Sequence, residues 1–148
     1  MDDLDRKLLN RLQRGFPIDP EPYRIVGEAL GISEDEAFSR VKRLKEQGMI
    51  RRIGAVFEPG RLGFVSTLCA ARVPPERLEV FIETVNACEG VTHNYERNHS
   101  YNVWFTVIAP SPEKIEDFLR DLREKTGISD ILDLRSVKKF KIDATFDL

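Results

Sequence analysis

Apolar residues up to residue 48 recur at helical spacing, whereas those beyond residue 64 alternate between strand-like runs and helical stripes. Leu4, Leu8 and Leu12 fall on one face of a helix that ends near Gly15, Phe16 and Pro17. Pro22, suited to a first helical turn, opens a second helix through Ile25, Val26 and Leu30 to Gly31. In the third, Ser33 and Glu36 have capping-box spacing, Ala37, Val41 and Leu44 form the buried stripe, and Gly48 closes the helix. Met49 to Phe57 and Arg61 to Val65, separated by Glu58-Pro59-Gly60, read as two short strands. Three helices and a β-hairpin predict a winged helix-turn-helix over residues 1–62, with the third helix in the recognition position.

The remainder, residues 63–148, contains one unit twice. Strand Phe64 to Val73 leads through Pro74-Pro75-Glu76 into a helix with Leu78, Phe81, Ile82 and Val85, then Gly90 and a strand. Strand Tyr101 to Ala109 leads through Pro110-Ser111-Pro112-Glu113 into a helix with Ile115, Phe118, Leu119 and Leu122, then Gly127 and a strand. Both helices carry apolar residues at i, i+3, i+4 and i+7, so each has a single apolar stripe. The repeat predicts a ferredoxin-like βαββαβ domain, making the whole chain α+β. Such a sheet has helices on one side only. Trp104, Phe105, Val107 and Ile108 send apolar groups to both faces, so a second subunit is expected on the open one.

Both histidines and the only tryptophan fall in the run His93-Asn94-Tyr95-Glu96-Arg97-Asn98-His99-Ser100-Tyr101-Asn102-Val103-Trp104, the predicted hairpin between the central strands. Histidine titrates near neutrality and arginine forks around carboxylates, so acid/base and anion-binding capacity gather there. Parity groups His93, Tyr95 and Arg97 on one face. A two-residue turn at Asn98-His99 continues that face through Ser100, Asn102 and Trp104, leaving Val103 and Phe105 for the helix side. A loop longer by one residue selects Tyr101, Val103 and Phe105 instead.

Charge changes the picture of the first domain. The chain has 23 Lys and Arg against 25 Asp and Glu, and residues 1–60 hold eleven of each sign, so no basic excess marks a DNA reader. Glu34, Asp35 and Glu36 also crowd the helix end that would approach phosphates. Lys42, Arg43, Lys45, Arg51 and Arg52 form either a local basic stripe or a solvated face. Cys69 and Cys88 read as buried core thiols rather than a disulfide or metal pair. With no apolar run near membrane-spanning length and an acidic N-terminus, the chain reads as cytoplasmic.

Leu4-Asp5-Arg6-Lys7-Leu8-Leu9 and Val41-Lys42-Arg43-Leu44-Lys45-Glu46-Gln47-Gly48 resemble the N-terminal domain of leucine-responsive/AsnC regulators. Gly15-Phe16-Pro17-Ile18, Ile50-Arg51-Arg52-Ile53-Gly54-Ala55-Val56-Phe57, Gly90-Val91-Thr92-His93-Asn94-Tyr95, His99-Ser100-Tyr101-Asn102-Val103-Trp104-Phe105-Thr106 and Phe140-Lys141-Ile142 together resemble the siroheme decarboxylases. That resemblance implies loss of carboxyl groups from two acetate side chains of siroheme, giving didecarboxysiroheme in heme biosynthesis. It implies no separate cofactor, only the iron of the substrate, and a homologous second subunit in a heterodimer or homo-oligomer. DNA is not expected as a partner.

For that chemistry Arg97 is the candidate carboxylate clamp, with an ordinary hairpin ion pair as its bland counterpart. His93, His99 and Tyr95 are candidates for proton delivery, and either histidine can instead approach the substrate iron as an axial ligand. Tyr101, Asn102, Trp104, Arg52 and Lys139 are candidates for holding the macrocycle, whereas Phe105 suits strand packing. Lys138-Lys139-Phe140-Lys141 serves either the pocket rim or a solvated tail. The competing function is an Lrp/AsnC-type DNA-binding regulator or tetrapyrrole sensor. In a third reading the partner subunit holds the reacting centre.

Overall fold

The computed structural model describes residues 1–142, 145 and 148. It divides into two compact units, Met1–Val56 with Lys141–Leu148, and Phe57–Phe140. In the first, α1 (Asp3–Arg14), α2 (Pro22–Leu30) and α3 (Glu34–Glu46) enclose Leu8, Val26, Ala37, Val41 and Leu44. Gly27 permits the tight helix-turn-helix crossing, because a Cβ there would lie 2.7 Å from the Ile32 carbonyl oxygen. The reciprocal capping box sits on α1: Asp2 accepts the Asp5 N–H at 2.7 Å and Asp5 accepts the Asp2 N–H at 3.1 Å. On α3 only half of the expected box forms. Ser33 accepts the Glu36 N–H at 3.2 Å, but the Glu36 carboxylate turns to Arg40.

Asp5 then joins α1 to α3. It is buried, and its carboxylate accepts from both Arg40 and Arg43. Burial pushes its pKa upward, but the Asp2 N–H and the two guanidiniums outweigh that and hold it below the usual value. Asp2, bound by Arg40 and the Asp5 N–H, is lowered to about 2.

The expected wing strands do not form. Residues 51–58 are irregular and Pro59–Leu62 is a short 3-10 helix. The β-branched and aromatic residues there favour strands, yet propensity makes no sheet without a paired neighbour, and this segment has none among the described residues.

The second unit runs β1 (Val65–Ala71), α4 (Leu78–Asn86), β2 (Val91–Glu96), β3 (Val103–Ala109), α5 (Pro112–Thr126) and β4 (Ile131–Arg135). Its sheet has the order β2-β3-β1-β4, antiparallel throughout, the arrangement expected of the ferredoxin-like repeat. Phe81 and Val85 from α4 and Ile115, Leu119 and Leu122 from α5 bury against Cys69, Ala71, Val103, Phe105 and Val107. Gly90 starts the β2–β3 pairing: its carbonyl accepts the Ile108 N–H at 2.8 Å, and a Cβ would meet the Ile108 oxygen at 2.5 Å. Cys69 is a core thiol, pushed up to about 12 by burial and the nearby Asp133 charge. Cys88 is only half-buried, and both thiols are free.

The opposite sheet face stands open. Leu68, Leu132 and Leu134 are exposed on it, with Trp104, Thr106 and Ile108 half-buried. Ala70, paired in register with both Trp104 and Leu132, is buried between them.

Because the Asp2 and Asp5 pKa values are depressed, their ionised forms stabilise the fold above about pH 4 and that contribution disappears as pH falls toward 2. Thermal melts followed by circular dichroism across this window should show a fall in stability that is shallower in Asp5→Asn. At neutral pH, Asp5→Ala should cost about 2 kcal/mol, since it removes the buried carboxylate that joins Arg40 and Arg43 to α1, leaving Arg43 without this partner while Arg40 keeps Asp2 and Glu36.

Candidate functional site

The β2–β3 hairpin pairs Tyr95 with Trp104 and Glu96 with Val103, and the Arg97 N–H continues the ladder to the Asn102 carbonyl at 2.7 Å. The connection is therefore a four-residue loop, residues 98–101, in place of the two-residue turn. A change of two residues preserves parity, so Val103, Phe105 and Val107 bury against the helices while Tyr95, Arg97 and Trp104 share the open face. A bulge between Val91 and His93 sets His93 opposite Thr106, on the same face.

Two clusters result. On the open face the His93 and Tyr95 rings stack at 6.1 Å and 27°, and the Arg97 guanidinium lies 6.0 Å from the Tyr95 ring and 5.6 Å from the Trp104 ring. Among the described residues Arg97 has no ion pair, so its fork is free to take an external carboxylate, and the ordinary pairing with Glu96 is absent. At the hairpin tip, the Tyr101 N–H donates to His99 Nδ1 at 3.1 Å and the two rings stack at 6.3 Å and 22°. A backbone N–H can only donate, so Nδ1 is the acceptor and the neutral ring carries its proton on Nε2. His99, Arg97, Glu96, Asn98 and Asn102 line a shallow concavity of about 490 Å³.

Tyr101 is less available than expected. Its hydroxyl donates to Asp130 Oδ1 at 2.9 Å, and the phenol pKa is raised, by that hydrogen bond first and by burial second. Its carbonyl accepts the Trp104 indole N–H at 2.7 Å. Arg72 lies over its ring at 5.2 Å and pairs with Asp130 at 3.2 Å. Neither Arg72 nor Asp130 was visible as a site candidate from sequence, because their link to the hairpin spans 29 residues and follows no local motif.

Asn102 is likewise committed. Its amide accepts the Val73 N–H and donates to the Val73 carbonyl, both at 2.9 Å, mimicking one more rung of the sheet. Lys139 pairs with Glu58 at 2.6 Å, lowering the Glu58 pKa, beside a cavity of about 380 Å³ at the Val65 end of β1. That is a strand length, about 20 Å, from the hairpin tip. Arg52 belongs to the other unit and lines a groove of about 830 Å³ with Leu12, Phe16 and Ile53. Among the described residues no three His, Cys, Asp or Glu side chains gather as a metal site, and no helix is long and apolar enough to cross a membrane.

A helix-turn-helix unit followed in the chain by a four-stranded sheet with an open face defines an AsnC-like protein, and residues 61–141 match the AsnC-like ligand binding domain. An AsnC family transcriptional regulator from Agrobacterium tumefaciens shares this fold at a TM-score of 0.81 with 23% identity, over 99% of this chain and 96% of that one. Residues 5–51 match the siroheme decarboxylase NirDL-like HTH domain. A siroheme decarboxylase alpha subunit from Nitratidesulfovibrio vulgaris is 52% identical over 99% of this chain and 82% of its own. The siroheme decarboxylase NirD subunit of Pseudomonas aeruginosa is 42% identical over 100% and 97%. The chain belongs to the siroheme decarboxylase family. The crystal structure of the siroheme decarboxylase NirDL superposes with a TM-score of 0.74 at 35% identity, covering 99% of this chain and 48% of that longer one. A second NirDL structure, in co-complex with an iron-uroporphyrin III analogue, aligns with a TM-score of 0.72 at 34% identity over 96% and 48%.

The different commitments of these side chains are separable by calorimetry. Asn102→Ala should lower stability by about 1 to 2 kcal/mol, because it unpairs both backbone groups of Val73. Arg97→Ala and His93→Ala, on the exposed face, should stay within about 0.5 kcal/mol of the parent.

Proposed function

We propose that this chain is a siroheme decarboxylase subunit that removes carboxyl groups from two acetate side chains of siroheme to give didecarboxysiroheme in heme biosynthesis. The reading treats residues 1–62 as a helix-turn-helix scaffold and residues 63–148 as the domain that carries the substrate site. The observation that carries it is Arg97, an exposed guanidinium without a carboxylate partner among the described residues, set over the only tryptophan and flanked in sequence by two histidine–tyrosine stacks.

Chemically, the bond between the acetate methylene and its carboxylate breaks, and the electron pair remains with the methylene carbon and the conjugated ring. Carbon dioxide leaves, and one proton converts the methylene to a methyl group. The step balances without oxidant or reductant, so it is a non-oxidative carboxy-lyase reaction. Arg97 clamps a carboxylate and fixes its orientation. His99 offers an Nε2 proton beside Arg97, and His93 with Tyr95 offers another donor on the sheet face, so proton delivery has two sources. Trp104 supplies a flat apolar surface for the macrocycle. The iron stays part of the substrate; with Nδ1 of His99 engaged by the Tyr101 N–H and the proton on Nε2, His99 serves as a donor in this arrangement and His93 is the histidine left to approach the iron. A homologous subunit covers Leu68, Leu132 and Leu134, in keeping with relatives named as alpha and NirD subunits.

DNA binding is disfavoured because Arg40 and Arg43 are engaged by Asp5 and α3 begins with three acids. The test is anaerobic incubation with iron-siroheme, alone and with the homologous subunit, followed by mass spectrometry. Stepwise loss of two carboxyl groups is expected. Unchanged siroheme in both mixtures, with tight salt-sensitive binding to a specific duplex, would overturn the reading. Arg97→Ala and His93→Ala should each slow turnover ~10²-fold, whereas Lys139→Ala should stay within about threefold.

A further inference from the structure

We propose that Arg72 and Asp130, which lie outside the hairpin, are positioning residues that orient His99 and Trp104 through Tyr101. The inference rests on the decarboxylase reading of the same site. Tyr101 uses each of its polar groups and its ring at once. Its hydroxyl meets Asp130 at 2.9 Å, its ring lies 5.2 Å from the Arg72 guanidinium, its N–H meets His99 Nδ1 at 3.1 Å, and its carbonyl receives the Trp104 indole N–H at 2.7 Å. The pillar beneath it is doubly fixed. Arg72 pairs with the Asp130 carboxylate at 3.2 Å, and the Arg72 N–H donates to the Asp130 carbonyl at 3.0 Å, extending the β1–β4 ladder by one rung.

The physical consequence concerns His99. A ring on an exposed four-residue loop samples several rotamers and both neutral tautomers unless something holds it. Here the Tyr101 N–H selects one tautomer, and the stacked phenol selects one ring plane. Tyr101 can do this only while its own ring is held, and Asp130 and Arg72 hold it from outside the loop. Both are partly solvent-exposed, with 45% and 57% of their side chains accessible, so replacing either leaves the core intact.

Because His93 and His99 are the only histidines, long-range proton–nitrogen NMR reads both rings of the full chain without substrate. The parent should show His99 as the Nε2–H tautomer at alkaline pH. Asp130→Ala and Tyr101→Phe should move it toward averaged tautomers while leaving His93 unchanged, and Asp130→Asn, which keeps the acceptor for the Tyr101 hydroxyl, should restore the parent signature. In siroheme turnover with the partner subunit present, Asp130→Ala should lower kcat about tenfold with KM within about twofold, and Asp130→Asn should recover most of the loss. A His99 signature unaffected by Asp130→Ala and Tyr101→Phe would overturn the proposal, as would an effect confined to KM. If the parent converts no siroheme but the tautomer responds as described, the decarboxylase reading fails and the positioning stands.

Discussion

The alternation of side chains along β3 is the constraint on which the rest of this molecule depends. β3 lies between β1 and β2, so its register decides what both neighbours present. Val103, Phe105 and Val107 have to bury against α4 and α5, which sends Trp104 to the opposite face and places Tyr95 beside it. Core and candidate site are thus the two sides of one strand. A slip of one residue would carry Phe105 into solvent and Trp104 into the helices, so hydrophobic burial holds the polar cluster in place as firmly as any hydrogen bond within it.

The helix-turn-helix unit is organised by another principle. Its α1 and α3 are joined by a buried carboxylate that occupies two arginines of the recognition helix. Binding to a duplex draws much of its free energy from guanidinium and ammonium groups that displace counterions from phosphate. In this chain part of that positive charge is directed inward, where it secures helix packing.

Features that depend on local periodicity were legible in the sequence. The stripes of α4 and α5 and the alternation of β3 depend on neighbours three, four or two residues away, and the ferredoxin-like order follows from their repetition. Parity also carried His93, Tyr95, Arg97 and Trp104 to one face, even though the loop has four residues where two were expected. What could not be read depends on contacts between distant segments. Met49 to Phe57 has strand composition but finds no ladder. Asn102 looks like a polar site residue and instead imitates a backbone rung for Val73, while Tyr101 looks free and is held by residues from two other segments. Asp2 and Asp5 form the full capping box expected at Ser33 and Glu36, because Glu36 is drawn away by Arg40.

Trp104 has one consequence of a different kind. It is the only indole in the chain, its N–H is tied to Tyr101 and its ring lies beside Arg97. The tryptophan fluorescence of the whole protein therefore originates at a single place, between the open sheet face and the hairpin tip. Its emission wavelength reports the polarity of that place, and a visible-absorbing ring resting against it would extinguish the signal by energy transfer. The chain carries a built-in optical reporter on the face where its His93, Tyr95 and Arg97 side chains gather.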